Sequence, residues 1–130
     1  MTNGHTIIKA AGKDWPVTLP DFADREDIVL AWHAALAASD GAALRRVACA
    51  ALGLSTGIGR QSGAAWTGTG ILLYGGAVYS WLRGQKMTIA EVVAAGTEVV
   101  NMLSADLFAR EAEVEAKADF TAAGEVSSIS

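Results

Sequence analysis

Few side chains in this chain can do chemistry, and they are scattered. There is one cysteine, Cys49, and two histidines, His5 and His33. A thiol or hydroxyl nucleophile needs a base within hydrogen-bond reach, and a histidine base needs something to deprotonate. Cys49 sits in the apolar run Val47-Ala48-Cys49-Ala50-Ala51-Leu52 and reads as a small buried hydrophobe. His33 follows Trp32 in a helical segment and reads as a surface residue, while His5 lies in a frayed terminus. Neither has a second base or ligand at a suggestive spacing. Glu111, Glu113 and Glu115 could bind a cation, but residues two apart point to different faces of a helix, so they read as a solvated face.

The stretch 55–70 carries five glycines and invites a phosphate-loop reading. No glycine there precedes the Lys-Ser/Thr pair that such a loop uses. Gly68-Thr69-Gly70 lacks the third glycine and the preceding strand of a dinucleotide site. The sequence thus predicts no catalytic residue, no metal ligand and no cofactor, and the expectation is a non-enzymatic protein. Four tryptophans, Trp15, Trp32, Trp66 and Trp81, are many for 130 residues. Packing accounts for most of them. Trp66, inside the glycine-rich stretch, is the one expected to be exposed and to anchor a partner. Leu107, Phe108, Val114 and Phe120 are the other expected partner contacts, as the large apolar residues of a weak last helix.

The elements that must position these residues form a mainly α fold: a small bundle of four to five helices with an N-terminal β-hairpin over 6–18. Thr6–Lys9 is β-branched, Ala11-Gly12-Lys13 offers a turn, and Trp15–Thr18 returns. Pro16 cannot donate to a ladder, so its strand is an edge. Asp21 or Asp24 is expected to cap a first helix with Ile28, Trp32, Ala35 and Leu36 on its inner face. Ser39-Asp40-Gly41 separates it from a second helix over about 42–53, with Leu44, Val47, Ala48, Ala51 and Leu52 inward. The arginines Arg45-Arg46 read as its solvated face. Residues 54–70 read as a long loop. A third helix over 71–83 presents Ile71, Tyr74, Val78 and Leu82, and Gly75-Gly76 in its middle implies close approach by another backbone. Thr88-Ile89-Ala90-Glu91 is a capping box, opening a helix with Ile89, Val92, Val93, Gly96, Val100 and Leu103 on one face.

A chain of this length fits one domain, read as 1–124 with a disordered tail over 125–130. Its net charge of −4 arises entirely after Leu103. Residues 1–103 hold eight acids and eight bases, and residues 104–130 six acids and two bases. The sequence therefore reads as a neutral body with an acidic appendage that docks conditionally. The acidic balance and the lack of a basic run argue against nucleic-acid binding. Residues 61–82 carry no charge, but their five glycines and short apolar core argue against a membrane span. The residues before Thr6 lack a basic region and an apolar stretch, so no signal peptide is expected. Much of the 52% hydrophobic content is alanine, which buries little area, so a partner or self-association is expected to complete the core.

The order of features resembles a known family. It runs from Gly12-Lys13-Asp14-Trp15-Pro16-Val17 and Leu19-Pro20 through Trp32, Arg45-Arg46-Val47 and Ala50-Ala51-Leu52-Gly53-Leu54. It continues with Tyr74-Gly75-Gly76-Ala77-Val78, Thr88-Ile89-Ala90-Glu91-Val92 and Ala95-Gly96, and ends with Glu113-Val114-Glu115-Ala116 and Asp119-Phe120-Thr121. Over residues 7–124 the chain resembles tail assembly chaperones of tailed bacteriophages and prophages. The resemblance implies a small helical protein in the cytoplasm of a bacterial host. It would bind the tape-measure protein and help tail-tube protein polymerise around it; the alanine-rich interfaces would also allow a homo-oligomer. The other part such a gene product could play is a virion component, a head–tail connector or minor tail protein.

Overall fold

The computed structural model describes residues 6–66 and 70–108. The chain forms an antiparallel hairpin, β1 (Ile7–Ala10) and β2 (Lys13–Pro16), then helices α1 (Phe22–Ala37), α2 (Gly41–Ser55), α3 (Ile58–Ser62) and α4 (Ile71–Gly84). A last helix, α5, runs over 89–108 of the described residues. The expected mainly α fold with an N-terminal hairpin is the observed one.

Ala11 and Gly12 link the strands at φ 53° and 74°. Left-handed backbone at both turn residues matches the right-handed twist of the flanking strands. Register pairs Ile8 with Trp15 and Ile7 with Pro16. Val17 N–H donates to Thr6 C=O. Mutually bonded pairs therefore alternate through Ile8 and Ala10, and the Pro16 nitrogen faces away from β1. Ile8, Ala10 and Trp15 are buried, and the Trp15 indole donates to Ala10 C=O at 2.8 Å.

α2 is the axis of the bundle. All of Val47–Gly53 is buried, so the second half of this helix is covered on every side. Its small residues admit close neighbours. A Cβ on Gly75 of α4 would lie 1.8 Å from the Arg46 carbonyl oxygen, and one on Gly96 of α5 2.7 Å from the Ala48 oxygen. The close backbone approach expected at Gly75 is thus present, with the Arg46 turn of α2 as its partner. Gly76 faces only the Arg46 side chain at 3.7 Å.

Several expectations need correction. Asp21 occupies the N-cap of α1 but its side chain makes no capping bond. On α1, Leu36 is exposed, while Arg25 and Val29 join Ile28 and Ala35 inside and Trp32 packs half-buried against the core as expected. Leu44 of α2 and Val93 of α5 are half-buried and Ile89 is exposed. The long loop over 54–70 is not one: α2 continues to Ser55, and Ile58–Ser62 is helical. The Tyr74 hydroxyl and ring fill the places where Cβ atoms on Gly53 and Gly59 would sit. These glycines serve packing, not flexibility. α5 shows no break at Ser104; Leu103 and Leu107 are both buried.

α1 ends with Ser39 at φ 52°, and Asp40 N–H donates to Ala35 C=O. Glycine is usual at this left-handed cap position. Ser39→Gly is expected to stabilise the chain by about 0.5–1 kcal/mol, read as a raised midpoint in thermal denaturation. The expected capping box is formed: Glu91 N–H donates to Thr88 Oγ1 at 3.1 Å, and Thr88 N–H to Glu91 Oε1 at 2.8 Å. The backbone bond from Thr88, then its hydroxyl, holds the Glu91 carboxyl below its usual range. A depressed carboxyl contributes stability present above its unfolded pKa and lost as pH falls through the folded one. Glu91→Gln should therefore be less stable than the parent at neutral pH and converge with it in acid, as chemical denaturation at the two pH values would show.

Candidate partner-binding site

The folded chain brings together few of the residues singled out in the sequence. Cys49 is buried on α2, and burial pushes its thiol up to about 12. It is a core residue, and a thiol reagent at neutral pH should label it only once the chain unfolds. His33 is exposed on α1, with its ring tilted against Phe108 at 6.1 Å. Arg45 of the pair Arg45-Arg46 lies over the Tyr79 ring at 5.4 Å. Among the described residues no three of His, Cys, Asp and Glu are grouped to hold a metal ion. No helix of those residues is long and apolar enough to cross a membrane.

The expected partner contacts divide. Trp66 is half-buried, edge-on to Tyr74 at 5.3 Å, so one of its faces belongs to the chain's own core rather than to an exposed loop tip. Leu107 is 4% exposed and is core, which removes it from the surface. Phe108, its neighbour, is 50% exposed at the end of the described helix. Val114, Phe120, the acidic run over 111–115, the tail over 125–130, His5 and Thr67–Thr69 lie outside the described residues. One contact that sequence reasoning missed ties α5 to α1: Arg25 pairs with Asp106. Nothing in the spacing of 81 residues signals it.

A concave feature lies elsewhere. An open groove of about 890 Å³ runs between the hairpin and the start of α5. Residues 7–14 form one wall, Gln85-Lys86-Met87 closes one end, and Glu91, Ala94, Ala95 and Glu98 form the other wall. Its charged side chains are Lys9, Lys13 and Lys86 against Asp14, Glu91 and Glu98. No ion pair joins any of these six among the described residues, where Arg25–Asp106 is the pair present. The groove is therefore balanced in charge, with Ala94 and Ala95 between the two glutamates on the α5 wall.

Two non-glycine residues with positive φ, Ala11 and Lys86, sit in the lining. Backbone held in sparsely populated conformations concentrates at binding sites. Ala11 N–H donates to Met87 Sδ at 3.3 Å, a weak acceptor that ties the hairpin turn to the α4–α5 connection. The sequence signals for this site were the positive-φ turn at Gly12 and the capping box at Thr88, each visible alone. Their juxtaposition follows only from the fold. No known protein family matches this chain, and no curated protein or solved structure matches it.

Proposed function

We propose that this chain is a non-enzymatic polypeptide-binding protein of the tail assembly chaperone kind, which holds segments of a tape-measure protein while tail-tube protein assembles around it. The observation that supports this reading is the open groove between hairpin and α5. It is open and about 890 Å³, with hairpin residues along one wall and Glu91, Ala94, Ala95 and Glu98 along the other. Such a groove suits an extended segment of a long partner, and several copies bound along one partner would multiply a weak contact. The helical bundle and capping box of the resemblance are compatible with that role.

Co-expression with the adjacent long coiled-coil gene product tests the reading. The two are expected to co-purify, and the chain is expected to be absent from mature particles. Failure to co-purify, together with normal tube polymerisation without this chain, would overturn the proposal. Presence in particles at fixed copy number would instead identify a virion component.

A further inference from the structure

The hairpin has two outer edges, and they are not alike. On β2 the outward-facing positions are Asp14 and Pro16, and proline has no N–H, so that edge cannot continue a ladder. On β1 the outward-facing positions are Ile7 and Lys9, which lie opposite Pro16 and Asp14 in the pairs that do not bond to one another. Their N–H and C=O groups point away from β2, and no bond to another described residue occupies them. The next N–H in that row, from Ala11, is the one that meets Met87 Sδ. Because Met87 lines the groove, the open edge of β1 faces into it.

We propose that β1 accepts an extended segment of a partner polypeptide as a third strand, bonded through the main chain of Ile7 and Lys9. This rests on the reading of the groove as a polypeptide site and says how the segment is held. A row of alternating donors and acceptors is complementary to another strand's backbone and to little else. The added strand would turn alternate side chains toward Ala94 and Ala95, which stand between Glu91 and Glu98 on α5, and the others beside Ile7 and Lys9 on the solvent face. Ile7 is 53% exposed, so the partner residue next to it is apolar, and the one next to Lys9 is acidic. In antiparallel pairing of two β1 edges centred on Ile8, each Lys9 would face the other copy's Ile7 and no acid, so a partner segment with an acid at that place suits Lys9 better than a second copy does.

The test uses the full chain and a short capped peptide that alternates valine and threonine around one central glutamate. Bound peptide is expected to slow amide hydrogen exchange at Ile7 and Lys9 by about tenfold or more. The same peptide methylated at alternate backbone nitrogens is expected to give no protection. Lys9→Pro removes the outward N–H without touching the bonds to β2, and is expected to abolish peptide binding with an unchanged thermal midpoint. If that variant does not fold, the methylated peptide decides alone. Unchanged exchange at saturating peptide, or full binding by folded Lys9→Pro, overturns the inference. So does protection that rises with protein concentration without peptide, which would make a second copy the occupant. Co-purification of the tape-measure partner with folded Lys9→Pro would sink the strand-edge inference and leave the chaperone reading standing. Peptide protection in a parent chain that does not co-purify with the tape-measure partner would do the reverse.

Discussion

Gly75→Ala is expected to destabilise the chain by about 2–3 kcal/mol, while Gly76→Ala, one residue on, is expected to stabilise it by about 0.5–1 kcal/mol. Both substitutions put the same methyl group on the same helix, and both gain about 1 kcal/mol of helix propensity. The difference is what the methyl meets. At Gly75 it would lie 1.8 Å from the Arg46 carbonyl oxygen and 2.6 Å from its carbon, both backbone atoms of α2 just before its fully buried stretch Val47–Gly53. Neither helix can yield without shifting, and overpacking of this kind costs more than the propensity gain returns. At Gly76 the nearest atom is the Arg46 side-chain nitrogen at 3.7 Å, an ordinary contact. Chemical denaturation of the two variants beside the parent measures both signs. A stabilised Gly75→Ala would mean that α2 and α4 do not cross where they are placed.

The second large effect is at the far end of α5. Asp106→Ala leaves the Arg25 guanidinium, nearly all buried and with its Nε already unpartnered, without its carboxylate. Removing one partner of a buried pair strands the other, at about 3–5 kcal/mol when both are inside. Asp106 is 33% exposed, so water recovers part of this and a loss of about 2 kcal/mol is expected. Arg25→Met in the Asp106→Ala background should restore much of it, since an apolar side chain needs no partner there. A double-mutant cycle by thermal denaturation measures the coupling, and strictly additive losses would show that the pair does not form. The same contact changes what truncation does. Ending the chain after Ser104 removes both Asp106 and the buried Leu107, so it should collapse the cooperative transition. A chain ending after Phe108 keeps both and should retain it.

The charge pattern of the sequence suggested a body ending near Ser104 with an acidic appendage beyond. Charge counting treats every carboxylate as a surface group, and Asp106 is the first one after that boundary. It faces a buried arginine supplied from α1, and no local pattern along α5 distinguishes it from a solvated acid. The glycines of 55–63 were misleading for a related reason. Glycine is read locally as freedom of the backbone, yet at Gly59, as at Gly53 on the helix before it, its use is the absence of a side chain where Tyr74 stands. Trp66 follows from this, because the same tyrosine that fills those places gives the indole its edge-to-face seat.

Interactions confined to a few neighbouring residues could be read directly. The hairpin turn, the Thr88–Glu91 box and the interruption at Ser39–Asp40 each satisfy their hydrogen bonds within a span of about one turn of chain, so residue type at fixed spacing dictates them. The helical faces of α2, α4 and most of α5 follow from periodicity in the same way. The sequence also announced a close crossing at Gly75-Gly76, because two glycines inside a helix need a reason. Tertiary structure alone decided which of the two is essential, which acid is buried, and which edge of the hairpin stays open beside α5. Each depends on groups many residues apart meeting through packing, where a shift of an ångström changes a contact into a clash or a pair, and spacing along the chain carries no information at that precision.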